Sequence, residues 1–399
     1  MHIALIADTF PPLRTSGAVQ LRDLSLEFVR QGHQLTVILP SAEISQCWML
    51  EDLDGVQVLR LRSPKTKEIN YIRRTVNEFV MPFFMLRHLY KSPLALHKWD
   101  GVVWYSPSIF HGPFVKALKR SCGCRSYLIV RDIFPEWALD MGLMGRGIPY
   151  FILKAVAKFQ YSVADVIGVQ TPGNLRYFEK WVEKSDRRLE VLQNWLSDTP
   201  VGKCSIDVSR TNLAGRKIVI YAGNMGPAQG VEILLDLANR MRVNPDIGFL
   251  FVGRGSEFQK LSEDAKERNL NNVLFLGEID PDEIPGLLLQ CHIGLVSLDV
   301  KHKSHNIPGK FLTYLHSGLP VLAAINRGND LANLIRSEDV GRVIEDGEPA
   351  SLEAMLNDML DCLSRDSAMS GRCRALFDKL FSPEITVHQI VTGLMTDKK

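Results

Sequence analysis

Nowhere in its 399 residues does the chain run apolar for the roughly 18 residues that a bilayer-spanning helix needs. The opening MHIALIADTFPP carries no basic leader, and its apolar run of about six residues is too short for a secretory signal, so a cytoplasmic protein is expected. Excess charge is also missing. With 47 Lys and Arg against 45 Asp and Glu, the net charge of +2 argues against nucleic acid as a partner. The 7 cysteines are odd in number and scattered. Cys122 and Cys124 stand too close for zinc-ligand spacing, so reduced thiols are expected. No Walker lysine motif and no dinucleotide fingerprint is present.

What is present is an ordinary globular composition, 46% apolar and 23% charged, long enough for about two domains. Short apolar runs alternate with longer amphipathic ones. Residues 2–7, 35–39, 56–61, 101–104, 126–130 and 165–169 read as buried parallel strands, with helices over 17–30, 110–120, 149–162 and 173–183. The pattern repeats with strands over 217–222, 248–252, 273–276, 293–296 and 319–323, and helices over 231–240, 258–268, 281–290 and 308–316. HIALIADTFPPLRTSGAVQL and KIVIYAGNMGPAQGVEILL open the two halves alike, as strand, Pro/Gly loop and helix. The expected fold is therefore α/β, two doubly wound domains facing a cleft, with ligands at the carboxyl ends of the strands. The boundaries are 1–196 and 197–381, with polar residues 196–215 as linker. Helices over 351–365, 368–381 and 382–395 close the chain, and the tail 382–399 is expected to pack back on the first domain.

The segment HNIPGKFLTYLHSGLPVLA (305–323) is the most telling. Pro308 and Gly309 open a short helix with Lys310 on its first turn, and Gly318 and Pro320 end it. Unpaired N–H groups, the helix dipole and an ammonium would make a phosphate site; the competing reading is a solvated lysine in a connection. In GNMGPAQG (223–230), Gly223 lets a bound group approach the backbone closely, or the loop is a plain tight turn. Gly253 and Gly255 flank Arg254, which reads either as a phosphate contact or as a surface cation. Glu278 and Ile279 follow the next strand, where backbone groups could clasp a base or ribose. Asp280-Pro281-Asp282 is a helix cap rather than a metal site. In RDIFPEWALDMGL (131–143), Asp132 at a strand end is a candidate to touch a sugar hydroxyl or an acceptor, with Glu136 and Asp140 sharing a helix face. The alternative there is a capped helix start whose acids are ordinary. Finally, residues 60–91 hold eight Lys and Arg against Glu68 and Glu78, around the apolar MPFFML. Contact with an anionic membrane surface is weighed there against a core helix with a solvated basic face.

YAGNMGPAQGVEILLDLA, FLFVGRG, NVLFLGE and IPGKFLTYLHSGLPVLA occur in the order and spacing of glycosyltransferase family 4, which the chain resembles over nearly its whole length. VLQNWLSD is similar to that family's hinge. RDIFPEWALDMGL resembles bacterial O-antigen and capsule transferases that add N-acetyl-L-fucosamine. The resemblance implies a GT-B fold of two Rossmann-like domains, a UDP-sugar donor, retention at the anomeric carbon and no metal or other cofactor. It implies a lipid-linked saccharide acceptor and a peripheral place at the inner face of the cytoplasmic membrane. Lys310, Asp132 and His305 would form the catalytic set. Ser16, Gly17, Gly223, Asn224, Gly253, Arg254, Glu278, Ile279, Gly309 and Thr313 would hold the donor. Four positions depart from the family pattern. His305 and Thr313 stand where many members have glutamates, Asn224 and Gln229 where they have an arginine and a lysine, Ser16-Gly17 where they have two glycines, and Arg131 where they have a histidine. A UDP-sugar epimerase or hydrolase of the same fold, and a non-catalytic nucleotide-sugar-binding subunit, are the alternatives.

Overall fold

A computed structural model describes residues 1–13, 15–184, 186–198, 202–301, 303, 305 and 307–395. It divides into two units, Met1–Gln193 with Pro383–Lys399, and Asn194–Ser382.

The first unit runs β1 (His2–Ile6), α1 (Ser16–Arg30), β2 (Gln34–Ser41), β3 (Trp48–Leu53), β4 (Val56–Arg62), α2 (Tyr71–Leu89), β5 (Gly101–Tyr105) and α3 (Gly112–Cys122). It continues through β6 (Arg125–Val130), α4 (Glu136–Asp140), α5 (Ile148–Val163), β7 (Val166–Val169), a 3-10 stretch (Pro172–Phe178), α6 (Glu179–Val182) and β8 (Arg188–Val191). The strands form one sheet in the order β3-β4-β2-β1-β5-β6-β7-β8, parallel except for β3 against β4. Ile3 to Ile6 at its centre are fully buried, as continuous apolar runs in a parallel sheet demand. The chain leaves β1 toward β2 and later returns to β5 on the other side. That reversal makes the β1/β5 carboxyl edge the place where such sheets take ligands.

The second unit holds β9 (Lys217–Asn224), α7 (Glu232–Arg240), β10 (Ile247–Arg254), α8 (Phe258–Glu267), β11 (Val273–Leu276), α9 (Ile284–Leu288) and β12 (Ile293–Ser297). It ends with α10 (Gly309–His316), β13 (Val321–Ala324), α11 (Asp330–Ser337), β14 (Gly341–Ile344), α12 (Pro349–Arg365) and α13 (Met369–Leu380). Its parallel sheet has the order β11-β10-β9-β12-β13-β14, so the reversal lies at β9/β12. A last helix, α14 (Pro383–Met395), packs on α1 and β6 of the first unit, where Gln389 Nε2 donates to the Val191 carbonyl at 2.8 Å. Residues 396–399 of the expected tail lie outside the described residues.

The elements differ from the sequence reading in identifiable ways. Strands β3, β8 and β14 and helix α11 were not anticipated. WMLEDL of β3 is a half-exposed antiparallel edge with no apolar run, and β8 and β14 are four-residue strands. Most of 173–183 is 3-10 rather than α-helical, and 281–290 opens with a 3-10 turn. The expected strand 319–323 begins at Val321, after Pro320. The expected linker 196–215 is largely packed: Leu196, Cys204, Ile206, Val208 and Leu213 join the core of the second unit, while residues 199–201 lie outside the described set. The unit boundary falls before Asn194, because Asn194 Nδ2 donates to the Ile307 carbonyl at 2.7 Å and the Leu196 N–H to that of Phe381 at 3.1 Å. No helix among the described residues is long and apolar enough to cross a membrane.

Candidate functional site

The carboxyl end of β9 is shaped by α10. Phe311, Leu312, Tyr314 and Leu315 bury one face of that helix, and Tyr314 lies over Gly294 of β12. A side chain at 294 would place Cβ 2.4 Å from the Tyr314 ring, so only glycine admits it. The Tyr314 hydroxyl accepts the Ala222 N–H at 2.9 Å and lies 3.3 Å from the Ile220 carbonyl. It thereby serves β9 where the pairing with β12, which runs only through Val219 and Ile220, has ended.

Lys310 lies one turn earlier on α10. Its side chain passes over the strand end at Gly223, with Cε 3.4 Å from where a Cβ would stand, and Nζ sits 3.5 Å from the centre of the Tyr221 ring. Gly223 has φ +137°, which glycine alone adopts without strain. Among the described residues Lys310 has no carboxylate, carbonyl or hydroxyl partner, and burial pushes its pKa down to about 7. The full charge expected from sequence is thus only partly present at neutral pH. The aromatic face supplies modest cation-π stabilisation. Pro308 caps α10 without a side-chain bond, so the Gly309 and Lys310 N–H groups have no acceptor among the described residues. Two free amides, a helix dipole and an unpaired ammonium converge on the space past Gly223, the setting an anion requires.

The neighbouring strand ends shape the same edge. Gly253 pairs with Gly223 and Arg254 with Asn224 in the β9/β10 register. A Cβ at Gly253 (φ +148°) would overlap the Gly223 carbonyl, and one at Gly255 (φ +141°) that of Met225. Arg254 Nη1 pairs with Glu278 at 3.1 Å, and both side chains are exposed. Ile279 packs on the core of the second unit and Asp280 caps the next turn, accepting the Asp282 N–H at 3.2 Å. In the 223–230 loop, Gln229 Oε1 accepts from Asn224 Nδ2 at 3.0 Å and from the Gly226 N–H at 3.1 Å, which fixes the turn internally. His305 Nδ1 lies 2.9 Å from the Asp330 carboxylate, tying it to the start of α11. Thr313 turns its hydroxyl back to the Gly309 carbonyl at 3.2 Å. Tyr221, Gly294, Tyr314 and Asp330 have no place in the sequence reading. Their contacts are long-range and leave no local pattern.

In the first unit, Ser16 and Gly17 open α1, with Thr15 as N-cap accepting the Ala18 N–H at 3.3 Å. Ser16 is exposed, and a Cβ at Gly17 would meet Thr9 Cγ2 at 3.3 Å. Asp132 follows β6, and burial raises its pKa while Arg131 opposes the shift. Arg131 is itself buried, its pKa brought down to about 10 by desolvation, and its guanidinium donates to the Leu192 and Gln193 carbonyls at 3.0 and 3.3 Å. Glu136 pairs with Lys154 at 2.9 Å, as the capped-helix alternative would have it. Across 60–91, Met81, Pro82 and Met85 are buried in α2 while Phe83 and Phe84 are exposed, so MPFFML is exposed only in part. Helical periodicity turns its methionines into the core. All seven cysteines are free thiols. Among the described residues no three His, Cys, Asp or Glu are grouped to hold a metal.

Residues 206–374 match the family described as Glycosyl transferases group 1. "Probable glycosyltransferase WbjE" of Pseudomonas aeruginosa is 22% identical over 290 residues, covering 71% of this chain and 72% of that protein. "Putative colanic acid biosynthesis glycosyl transferase WcaI" of Escherichia coli K12 is 27% identical over 212 residues, covering 50% of this chain and 52% of that one. Among solved structures, Anabaena Alr3699/HepE in complex with UDP and glucose is similar with a TM-score of 0.70 at 15% identity, covering 99% of both chains. Over residues 206–374 the chain is thus similar to the glycosyl transferases group 1 family, and the two Rossmann-like units have the GT-B fold.

Proposed function

We propose that this protein is a retaining, metal-independent glycosyltransferase of bacterial surface-polysaccharide synthesis. It moves an acetamido-deoxyhexose such as N-acetyl-L-fucosamine from a UDP-sugar to a lipid-linked saccharide at the cytoplasmic face of the membrane. The observation that carries this reading is Lys310, an ammonium with no partner but the Tyr221 ring, beside two free amides at the start of α10. Charge grows on the leaving diphosphate as the bond from the anomeric carbon to the β-phosphate oxygen breaks. A bond from that carbon to the acceptor oxygen forms, and the acceptor's proton leaves with UDP. Lys310 and the amides meet the growing charge, a role whose loss typically costs 10²–10³-fold in kcat, roughly 3–4 kcal/mol.

Gly223, Gly253 and Gly309 let the diphosphate approach the backbone, and Asn224 and Arg254 flank it. Glu278 and Ile279 serve the nucleoside, with Thr313 on the inner turn of α10. Asp132, Ser16 and Gly17 are the first unit's own candidates for substrate contact, and in the second unit His305, steadied by Asp330, addresses the sugar. The UDP bound by HepE supports the choice of nucleotide, and the polysaccharide role in the WcaI name supports the process.

The test is incubation with a panel of UDP-sugars and lipid-linked saccharides in the presence of EDTA, following product by mass and anomeric configuration by NMR. Transfer with retained configuration supports the reading. Epimerised or hydrolysed donor without transfer, or UDP binding without turnover on any acceptor, contradicts it.

A further inference from the structure

Helix α2 presents an apolar stripe to solvent. Ile72, Val76, Phe79 and Phe83 recur at helical spacing with exposures of 82, 56, 38 and 60%. The stripe continues into Arg87 and exposed Tyr90. Core packing accounts for part of Phe79, whose ring meets that of buried Phe110 edge-on at 5.1 Å, but not for Ile72, Val76 and Phe83, because Met81, Met85 and Leu89 on the opposite side already fill the sheet face. Helix α3 packs against both α2 and α5, and α5 adds Ile148, Phe151 and Ile152, also exposed. An apolar surface spread over two helices on one flank marks an interaction site.

Beside the stripe lies an open cavity of about 730 Å³ between the ends of β2 and β4 and the second half of α2. Arg62, Lys65, Phe84, Arg87, His88 and Lys91 line it, and Glu43 is the carboxylate among its lining residues. Lys65 is paired with Glu68 at 3.0 Å, and Arg62 donates to the Ser45 carbonyl at 3.0 Å. The side chains of Arg87 and Lys91 are exposed and have no ion-pair partner among the described residues. The basic excess of 60–91 is therefore divided. Arg60 pairs with Glu51, Arg74 with Glu78, and Lys67 serves the Asp8 carbonyl, while Arg87 and Lys91 keep their charge unmatched at the cavity.

We propose that this cavity holds the phosphoryl headgroup of an anionic membrane lipid on Arg87 and Lys91, while the Ile72–Val76–Phe79–Phe83 stripe enters the acyl boundary. Charge complementarity selects this occupant: unmatched cations beside exposed aromatic and aliphatic side chains fit an interface that is anionic above and apolar below. The inference deepens the reading of a lipid-linked acceptor and rests on it for its purpose. Its geometry is independent of Lys310.

Flotation of the full-length protein with vesicles tests it, using phosphatidylcholine alone or mixed with phosphatidylglycerol, at low and high salt. Wild type is compared with Arg87→Ala/Lys91→Ala and with Val76→Ser/Phe83→Ser, all exposed positions, and UDP binding is measured on each. Wild type should float with the anionic vesicles. The charge variant should lose about thirtyfold in affinity at low salt, about fivefold for each cation near an anionic surface. The apolar variant should lose the association that survives high salt. Both should bind UDP as wild type does. No flotation of wild type, undiminished flotation of the charge variant, or equal binding to neutral vesicles overturns the proposal. So does full protection of the cavity by inorganic phosphate without vesicle binding. Vesicle binding without UDP binding would overturn the donor-site reading and leave this one standing.

Discussion

Tyr314 reaches across Gly294 to accept the Ala222 N–H at 2.9 Å, and this bond fixes α10 to the end of β9. Lys310 stands one turn before Tyr314 on the same helix, so its placement over Tyr221 depends on that anchor.

Removing the hydroxyl with Tyr314→Phe leaves a buried N–H without its acceptor. The expected loss is about 1–3 kcal/mol of stability in the second unit, together with weaker UDP binding as α10 loosens. Gly294→Ala should cost at least about 1–3 kcal/mol through overpacking against the same ring. Urea unfolding followed by circular dichroism measures both. Unchanged midpoints would contradict the anchor.

Arg131 clamps the end of the first unit through two carbonyls, of Leu192 and Gln193. Arg131→Met keeps its bulk and removes the charged donors, so a loss of about 1.5–3 kcal/mol is expected in the unfolding of that unit. The exposed Arg254–Glu278 pair should behave differently: Glu278→Gln should change stability by less than about 1 kcal/mol, read from the same melts.

Lys310 makes both stability and binding depend on pH, in opposite senses. Its native pKa of about 7 lies below the ordinary 10.5, so the unfolded chain binds more protons between those values. Stability of the free protein should therefore rise with pH across that window, and Lys310→Met should remove that contribution. An anion needs the protonated amine, so UDP affinity should be greatest below about pH 7 and fall above it. Calorimetry in buffers of different ionisation enthalpy should show proton uptake on binding near and above pH 7. A flat affinity profile would contradict the role.

Much of the architecture was legible in the chain. Continuous apolar runs such as those of β1 and β10 mark buried parallel strands, and Pro308-Gly309-Lys310 marked the start of α10 with its cation. Short edge strands such as β3 and β8 were not legible, because half-exposed residues erase the apolar signal. The site's supports were hidden for another reason. Tyr221 and Tyr314 read as ordinary core residues, and only folding brings Lys310 over the strand end at Gly223, 87 residues earlier in the chain; sequence spacing carries no trace of that meeting. Arg131 shows the reverse case, a charged residue at the acceptor-side loop whose buried guanidinium is spent on backbone carbonyls.

The most direct measurement is calorimetric titration of UDP into wild type and Lys310→Met at pH 6.5 with EDTA present. The account predicts saturable binding by wild type without a divalent ion and a loss of at least about tenfold in the variant, whose melting temperature should not fall. Equal affinity in the two proteins, or binding by wild type only when magnesium is added, would contradict it.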